Sequence, residues 1–364
     1  MMKLRRFLRT AAALTAAVLF LTGSAKAQPC VSAESAIVMD AGGTVFYEKN
    51  ADSRCLIAST TKIMTGLLVC ERCDPEAIVT VSPEAAGIEG SSLYLKAGEQ
   101  LSVKELLYGM MLHSGNDAAA ALAIYTSGSI EAFVQDMNER AKSLDLQNTH
   151  FANPHGLDSE LNYATARDLA LLSSAAMEND RFREAVGTKT ACFESRTFSN
   201  HNRLLWQYPG AVGIKTGYTK AAGRILVSAA ERNGRRVIAV TISAPNDWED
   251  HKKLLDEGFS HYEEQTILQS GDRVGSVRVV DGTETEVGLA VQEDVRGMLL
   301  PQERAELQIH APQFVYAPVQ AEKAGSVRIT AGKMLLAEIP VYYEKTVEQI
   351  PEKTGLLERL FGGR

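Results

Sequence analysis

The chain has 364 residues, of which 45% are hydrophobic and 23% charged, enough for two globular domains with cores of their own. Its formal charge is −7, and a phosphate-binding protein needs a basic footprint, so nucleic acid is excluded as a partner. Seven scattered histidines with no H-E-x-x-H spacing argue against a metallopeptidase, and neither a metal nor a cofactor is expected.

Residues 1–27 read as a secretory signal peptide. Lys3, Arg5, Arg6 and Arg9 form a basic start, Ala11 to Leu21 an apolar middle, and Ala25-Lys26-Ala27 a small-residue cleavage site. The apolar run is about 11 residues, short of the roughly 20 that span a bilayer. Without that segment's five positive charges the charge stands at −12. Export permits disulfides, but five cysteines (Cys30, Cys55, Cys70, Cys73 and Cys192) leave at least one unpaired. Cys70-Glu71-Arg72-Cys73 has neither a βαβ context nor a second pair, so it reads as a local disulfide or two thiols.

Ser35 to Met39 and Thr44 to Tyr47 predict a β-hairpin about Asp40-Ala41-Gly42-Gly43. An exposed turn, Asp52 to Cys55, then gives way to Ser59-Thr60-Thr61-Lys62 and an apolar helical run, Ile63 to Val69. A serine opening a helix lies near free N–H groups and the positive end of the dipole, and usually acts as an N-cap. Three residues on, Lys62 shares its face and is placed to take the serine's proton.

Ser102 to Tyr125 reads as two helices broken at Ser114-Gly115-Asn116. Ile130 to Ser143 and Asp168 to Met177 are further amphipathic helices. The pattern then turns to strands: Gly213 to Tyr218, Arg224 to Glu231 and, past an Asn233-Gly234 turn, Arg235 to Ser243. Trp248 to Phe259 closes the unit as a helix. Strands at both ends with helices between predict an α+β domain, one antiparallel sheet covered by helices, over 28–262. Short β-type runs over 263–345 predict a small all-β domain. The remaining 346–364 form a tail whose Leu356, Leu357, Leu360 and Phe361 have helical spacing, suited to peripheral membrane contact or to docking on its own domain.

Lys215-Thr216-Gly217 completes a trio with the two serine motifs: S-x-x-K, S-x-N and K-T-G, in that order. Each is weak alone, and a second K-T-G at Lys353-Thr354-Gly355 demonstrates it. Lys215 has a strand before it and a hairpin after it, whereas Lys353 follows a proline, so Lys215 is the one chosen.

The surrounding residues carry a resemblance beyond the trio. Ile57 to Thr65, His113 to Ala119, Asn153-Pro154-His155-Gly156-Leu157 and Lys215 to Thr219 resemble the low-molecular-mass penicillin-binding proteins, and within them the serine D-alanyl-D-alanine carboxypeptidases of peptidase family S11. The likeness spans about Ser35 to Tyr262 and implies a β-lactamase/transpeptidase-like fold. Two positions depart from it: Ile57 replaces a frequent proline, and His201 falls where some members carry an arginine for the substrate carboxylate, a contact Arg203 is near enough to supply.

The resemblance implies a peptidoglycan stem peptide ending in D-Ala-D-Ala as substrate and β-lactams as covalent inhibitors. It further implies Ser59 as nucleophile, Lys62 as base with a lowered pKa, Ser114 as proton relay and Asn116 as holder of Lys62 and the substrate amide. Lys215 and Thr216 would grip the terminal carboxylate. Gly217 would keep the strand edge clear, and the N–H groups of Ser59 and Tyr218 would form the oxyanion hole. His155 and Asp168 would support the site. Two rivals share features with this reading. A β-lactamase has the same trio, but its second motif is usually S-D-N and it needs a deacylating glutamate, for which Glu160 is the nearest candidate. A non-catalytic wall-binding protein would have no reason to keep Ser59, Lys62, Ser114 and Lys215 together.

Overall fold

The computed structural model describes residues 28–351, apart from Ser195 and Lys333. The expectations for residues 1–27, for the Lys353 motif and for Leu356 to Phe361 lie outside the described residues. Among those described, no helix is long and apolar enough to cross a membrane.

The first unit is built on a five-stranded antiparallel sheet. Strands β1 (Ser35–Asp40), β2 (Val45–Lys49), β3 (Ala211–Thr219), β4 (Gly223–Arg232) and β5 (Arg235–Ile242) lie in the order β2-β1-β5-β4-β3. Both faces are covered, which is why β1, β4 and β5 read as near-continuous apolar runs rather than alternations. Ile37, Met39, Val227, Ala229, Ile238 and Val240 face one core. Their sequence neighbours Ala36, Val38, Leu226, Ala230, Val237 and Ala239 face a second. Strand β3 is an edge, paired only with β4, so its outer backbone is free for a peptide to run along.

Six helices cover the first face: α1 (Lys62–Arg72), α2 (Val103–Leu112), α3 (Asn116–Ser127), α4 (Ile130–Ser143), α5 (Ala166–Met177) and α6 (Asp180–Gly187). Their starts are written locally. The hydroxyls of Ser102, Ser129 and Thr165 accept from the N–H groups of Glu105, Ala132 and Asp168, and the amide oxygen of Asn179 accepts from those of Arg181 and Phe182. Gly128 ends α3 in the left-handed conformation, φ 86°. Helix α7 (Asp247–Phe259) packs on the second face, where buried His251 bridges Ser228 of β4 and Thr241 of β5 at 2.6 and 2.9 Å. Burial holds that imidazole neutral, its pKa down at about 3.

Residues beyond Tyr262 form a β-structure with a core of its own, including Val277, Val279, Val287, Leu289, Val327, Ile329 and Val341. Its main sheet has six strands, in the order Glu306–His310, Lys323–Ala331, Met334–Tyr343, Glu286–Ala290, Arg273–Val280, Phe314–Tyr316. Val347 and Gln349 bridge back to Val319 and Gly282, so the pairing continues almost to Pro351. A buried cation joins the two units: Arg235 of β5 donates to both carboxylate oxygens of Glu303 at 3.0 and 2.8 Å and to the Met298 carbonyl at 2.6 Å, with its guanidinium over the Tyr262 ring.

Candidate active site

Ser59 does not cap a helix in the ordinary way. It lies in a 3₁₀ turn, Ala58–Thr61, that runs straight into α1, and the helix has no side-chain cap. The turn starts from a left-handed Ala58, φ 43°, and Thr60 closes it by donating through its N–H and its hydroxyl to the Ile57 carbonyl. The serine hydroxyl is thereby left for the cleft.

Two glycines let other chain segments press against this turn. A Cβ on Gly217 of β3 would lie 3.3 Å from the Ser59 nitrogen. Gly217 therefore brings the strand close beneath the serine, which is more than leaving its edge clear. A Cβ on Gly156, whose φ is +93°, would lie 1.9 Å from the Ala58 carbonyl oxygen. Gly156→Ala is thus expected to cost about 2–4 kcal/mol, from collision and left-handed strain together, measured as a lowered denaturation midpoint.

Lys62 begins α1 and is wholly buried. Its Nζ lies 3.0 Å from Ser59 Oγ, 2.7 Å from Asn116 Oδ1 and 2.6 Å from the His155 carbonyl oxygen. Burial, then the charge of Lys215, push its pKa well below the ordinary lysine value, against a smaller opposing pull from Asp117. Ser114 sits between α2 and α3 in the left-handed region, φ 69°, and accepts from Lys215 Nζ at 3.2 Å. Burial lowers Lys215 itself to about 7. At neutral pH it is only partly charged, and an incoming carboxylate would restore its proton.

The cleft over these groups has a volume of about 510 Å³. Ser59, Ser114, Thr216, Gly217 and Tyr218 line it, together with Ser91, His201, Arg203, Arg224, Asp247 and Trp248. His201 is pushed down by burial, by Lys215 and by His113, so it supplies no fixed charge in place of an arginine. Arg203 and Arg224 both reach the cleft. Arg224 is held on Asp247 by bonds of 3.1 and 2.9 Å.

The two supporting residues do different things. His155 serves through its backbone oxygen; burial and the Lys62 charge lower its ring to about 4. Asp168 is remote from the Lys62 contacts: in the first turn of α5, it accepts from the Asn148 N–H and the Thr149 hydroxyl, both at 2.8 Å, and pins the chain leading to Asn153. Glu160 is exposed, and among the described residues it is not one of the hydrogen-bond partners of Lys62. Arg224 of β4, Asp247 of α7, the loop residue Ser91 and the His155 carbonyl are not legible as site groups, since none belongs to a motif. The Cys70 and Cys73 thiols are both free, at the far end of α1.

A sheet-and-helix unit that gathers three such motifs in one cleft, followed by an all-β unit, has the architecture of a penicillin-binding protein. A family model described as D-alanyl-D-alanine carboxypeptidase matches residues 22–246, and one described as the C-terminal domain of penicillin-binding protein 5 matches residues 262–349. The chain belongs to the D-alanyl-D-alanine carboxypeptidase family, S11. It is 35% identical over 327 residues to the D-alanyl-D-alanine carboxypeptidase DacF of Bacillus subtilis, covering 85% of this chain and 84% of that one. Over 343 residues it is 35% identical to DacC of Escherichia coli, covering 88% and 86%. The crystal structure of penicillin-binding protein 5 from Haemophilus influenzae superposes with a TM-score of 0.64 at 28% identity, over 89% of this chain and all of that one.

Proposed function

We propose that the protein removes the terminal D-alanine from peptidoglycan stem peptides through an acyl-enzyme on Ser59. The observation that carries this reading is the set of partners around Lys62. A neutral amine has two N–H groups and one lone pair. Two of its three neighbours, Asn116 Oδ1 and the His155 carbonyl, can only accept, so they take both N–H groups. The lone pair is left for the third, and the Ser59 O–H donates to it.

Ser59 Oγ attacks the carbonyl between the two D-alanines and its proton passes to Lys62. The oxyanion forms where the Ser59 and Tyr218 N–H groups converge, a pairing supported by the close approach of Gly217 to the Ser59 turn. Collapse breaks the C–N bond; Ser114 Oγ, held by Lys215, gives its proton to the departing amine and takes up the one that Lys62 received. Water then attacks the ester and regenerates Ser59. Lys215 and Thr216 hold the free carboxylate by charge-assisted bonds, which favours a carboxypeptidase over an endopeptidase. Such a substrate lies outside the cytoplasm, in keeping with an exported chain. β-Lactams would acylate the same serine, and the exposed position of Glu160 favours this reading over a β-lactamase.

Lys215 brings a pH dependence. The carboxylate is gripped by its protonated form, so kcat/KM is expected to fall as pH rises through about 7 in the free enzyme. Stability should run the other way. The unfolded chain holds the Lys215 proton up to its ordinary value of 10.5, so stability rises with pH from about 7 to 10.5 and is lost again on descent. Lys215→Met should flatten that slope, which pH-resolved denaturation curves would measure.

The deciding experiment is D-alanine release from diacetyl-Lys-D-Ala-D-Ala, with penicillin labelling of the same preparation. Release with a long-lived adduct is expected. Fast penicillin turnover without release would make the protein a β-lactamase instead.

A further inference from the structure

Asn116 must present its oxygen to Lys62, because an amide turned end for end would offer NH₂ to the same lone pair that Ser59 needs. Its orientation is set from the side away from Lys62. Nδ2 donates to the Glu89 carbonyl at 2.5 Å, and the Asn116 N–H to the Ser91 carbonyl at 2.7 Å. Glu89 and Ser91 lie in irregular chain between Ser82 and Gln100, with no ladder to hold them. Gly90, φ +93°, passes so near that a Cβ there would lie 2.8 Å from Asn116 Nδ2.

That chain is held by the residue after Asn116. Asp117 is 0% exposed. Its carboxylate accepts from the Leu93 N–H at 3.0 and 2.9 Å, the Leu95 N–H at 3.1 Å and the Ser92 hydroxyl at 2.6 Å, as well as from the Ala118 N–H at 2.9 Å. Leu93 then packs where side chains are missing: a Cβ on Gly115 would sit 2.8 Å from its Cγ, and one on Gly109 2.3 Å from its Cδ1.

We propose that Asp117 is a positioning residue for acylation: its carboxylate straps residues 92–95 to the start of α3, and the strap keeps the Glu89 carbonyl on the Asn116 amide. This rests on the Ser59 acyl-enzyme reading. With the strap released, the amide is free to rotate, and Lys62 then shares its lone pair between Asn116 NH₂ and Ser59. The chemical step slows although Ser59 and Lys62 are intact.

Stopped-flow acylation of the full chain by benzylpenicillin separates this step from binding. Asp117→Asn is expected to lower the acylation rate constant about 10- to 100-fold, as for a slightly misplaced reacting group, a larger change than in the pre-covalent dissociation constant. Ser92→Ala, which keeps the carboxylate, should slow acylation about fivefold, the equivalent of one lost hydrogen bond. The charges bearing on the Lys62 amine are Lys215 from β3 and Asp117 from α3, with the His155 ring beside it in the loop. Asp117→Asn removes the one group that lifts Lys62, so the acid limb of the acylation profile should move to lower pH. Ser92→Ala keeps that charge, so its limb should stay in place while its rate falls, which separates the strap from the charge. Parent-rate acylation in both variants overturns the strap, whether or not the limb moves. If Asp117→Asn fails to fold, Ser92→Ala decides alone, and a parent rate there overturns the strap. An unlabelled parent protein would sink the acyl-enzyme reading instead, so the two failures are distinct.

Discussion

Ser59→Ala is expected to abolish covalent labelling by penicillin and to lower D-alanine release about 10⁶-fold, the usual scale for losing a catalytic nucleophile. The fold should survive. Ser59 is only half-buried, and neither its hydroxyl nor its Cβ supports the 3₁₀ turn, which is closed by Thr60 on the Ile57 carbonyl. Among the described residues its Oγ is hydrogen-bonded to Lys62 Nζ, whose two N–H groups remain occupied by Asn116 and His155. A thermal midpoint close to that of the parent, with intact-mass spectra free of adduct, is the expected result. An adduct that persists would move the nucleophile elsewhere.

Lys62→Met is expected to slow acylation about 10²- to 10⁴-fold, the range for losing a positioned general base, or up to about 5.5 kcal/mol on the barrier. Methionine fills nearly the same space but has no lone pair for the Ser59 proton. Two effects on stability oppose each other. The Asn116 and His155 oxygens lose a donor, at about 1–3 kcal/mol for each buried acceptor left unpaired. Against that, a fully buried amine no longer has to be kept out of water. The lowered pKa of Lys62 gives a separate signature. The unfolded state binds the proton at pH values where the folded state does not, so the parent gains stability as pH rises towards 10.5, and the variant should lose that share of the slope. Near-parent acylation would remove Lys62 from the role of base.

Much of the catalytic unit was legible because its signals are local. The helix from Ile130 to Ser143 has a serine just before it and a clear apolar face, and the Asn233-Gly234 turn fixes the β4–β5 register by its own backbone preference. Short elements were not legible. The ribbons Cys55–Leu56 with Tyr163–Ala164, and Thr190–Cys192 with Thr197–Ser199, are two or three residues long and owe their form to what they pack on. The eight-residue helix α6 was missed as well, its apolar Phe182, Ala185 and Val186 too few to establish a period. Serine's usual cap at a helix start is absent at Ser59, which lies instead in a 3₁₀ turn against which Gly156 and Gly217 press.

The sequence by itself determined the three motifs, their order, the helices and strands that carry them, and the family they resemble, since residue identity and short-range spacing are all those depend on. The tertiary structure decided what those residues can do. Ser59 and Lys62 are three residues apart, but Asn116 and His155 reach Lys62 across separations of 54 and 93 residues. Only their convergence in a buried space lowers two lysines at once and turns one lone pair toward one hydroxyl. Carbonyl oxygens from Glu89, Ser91 and His155 take part through the backbone, where every residue is alike until the fold sets its direction.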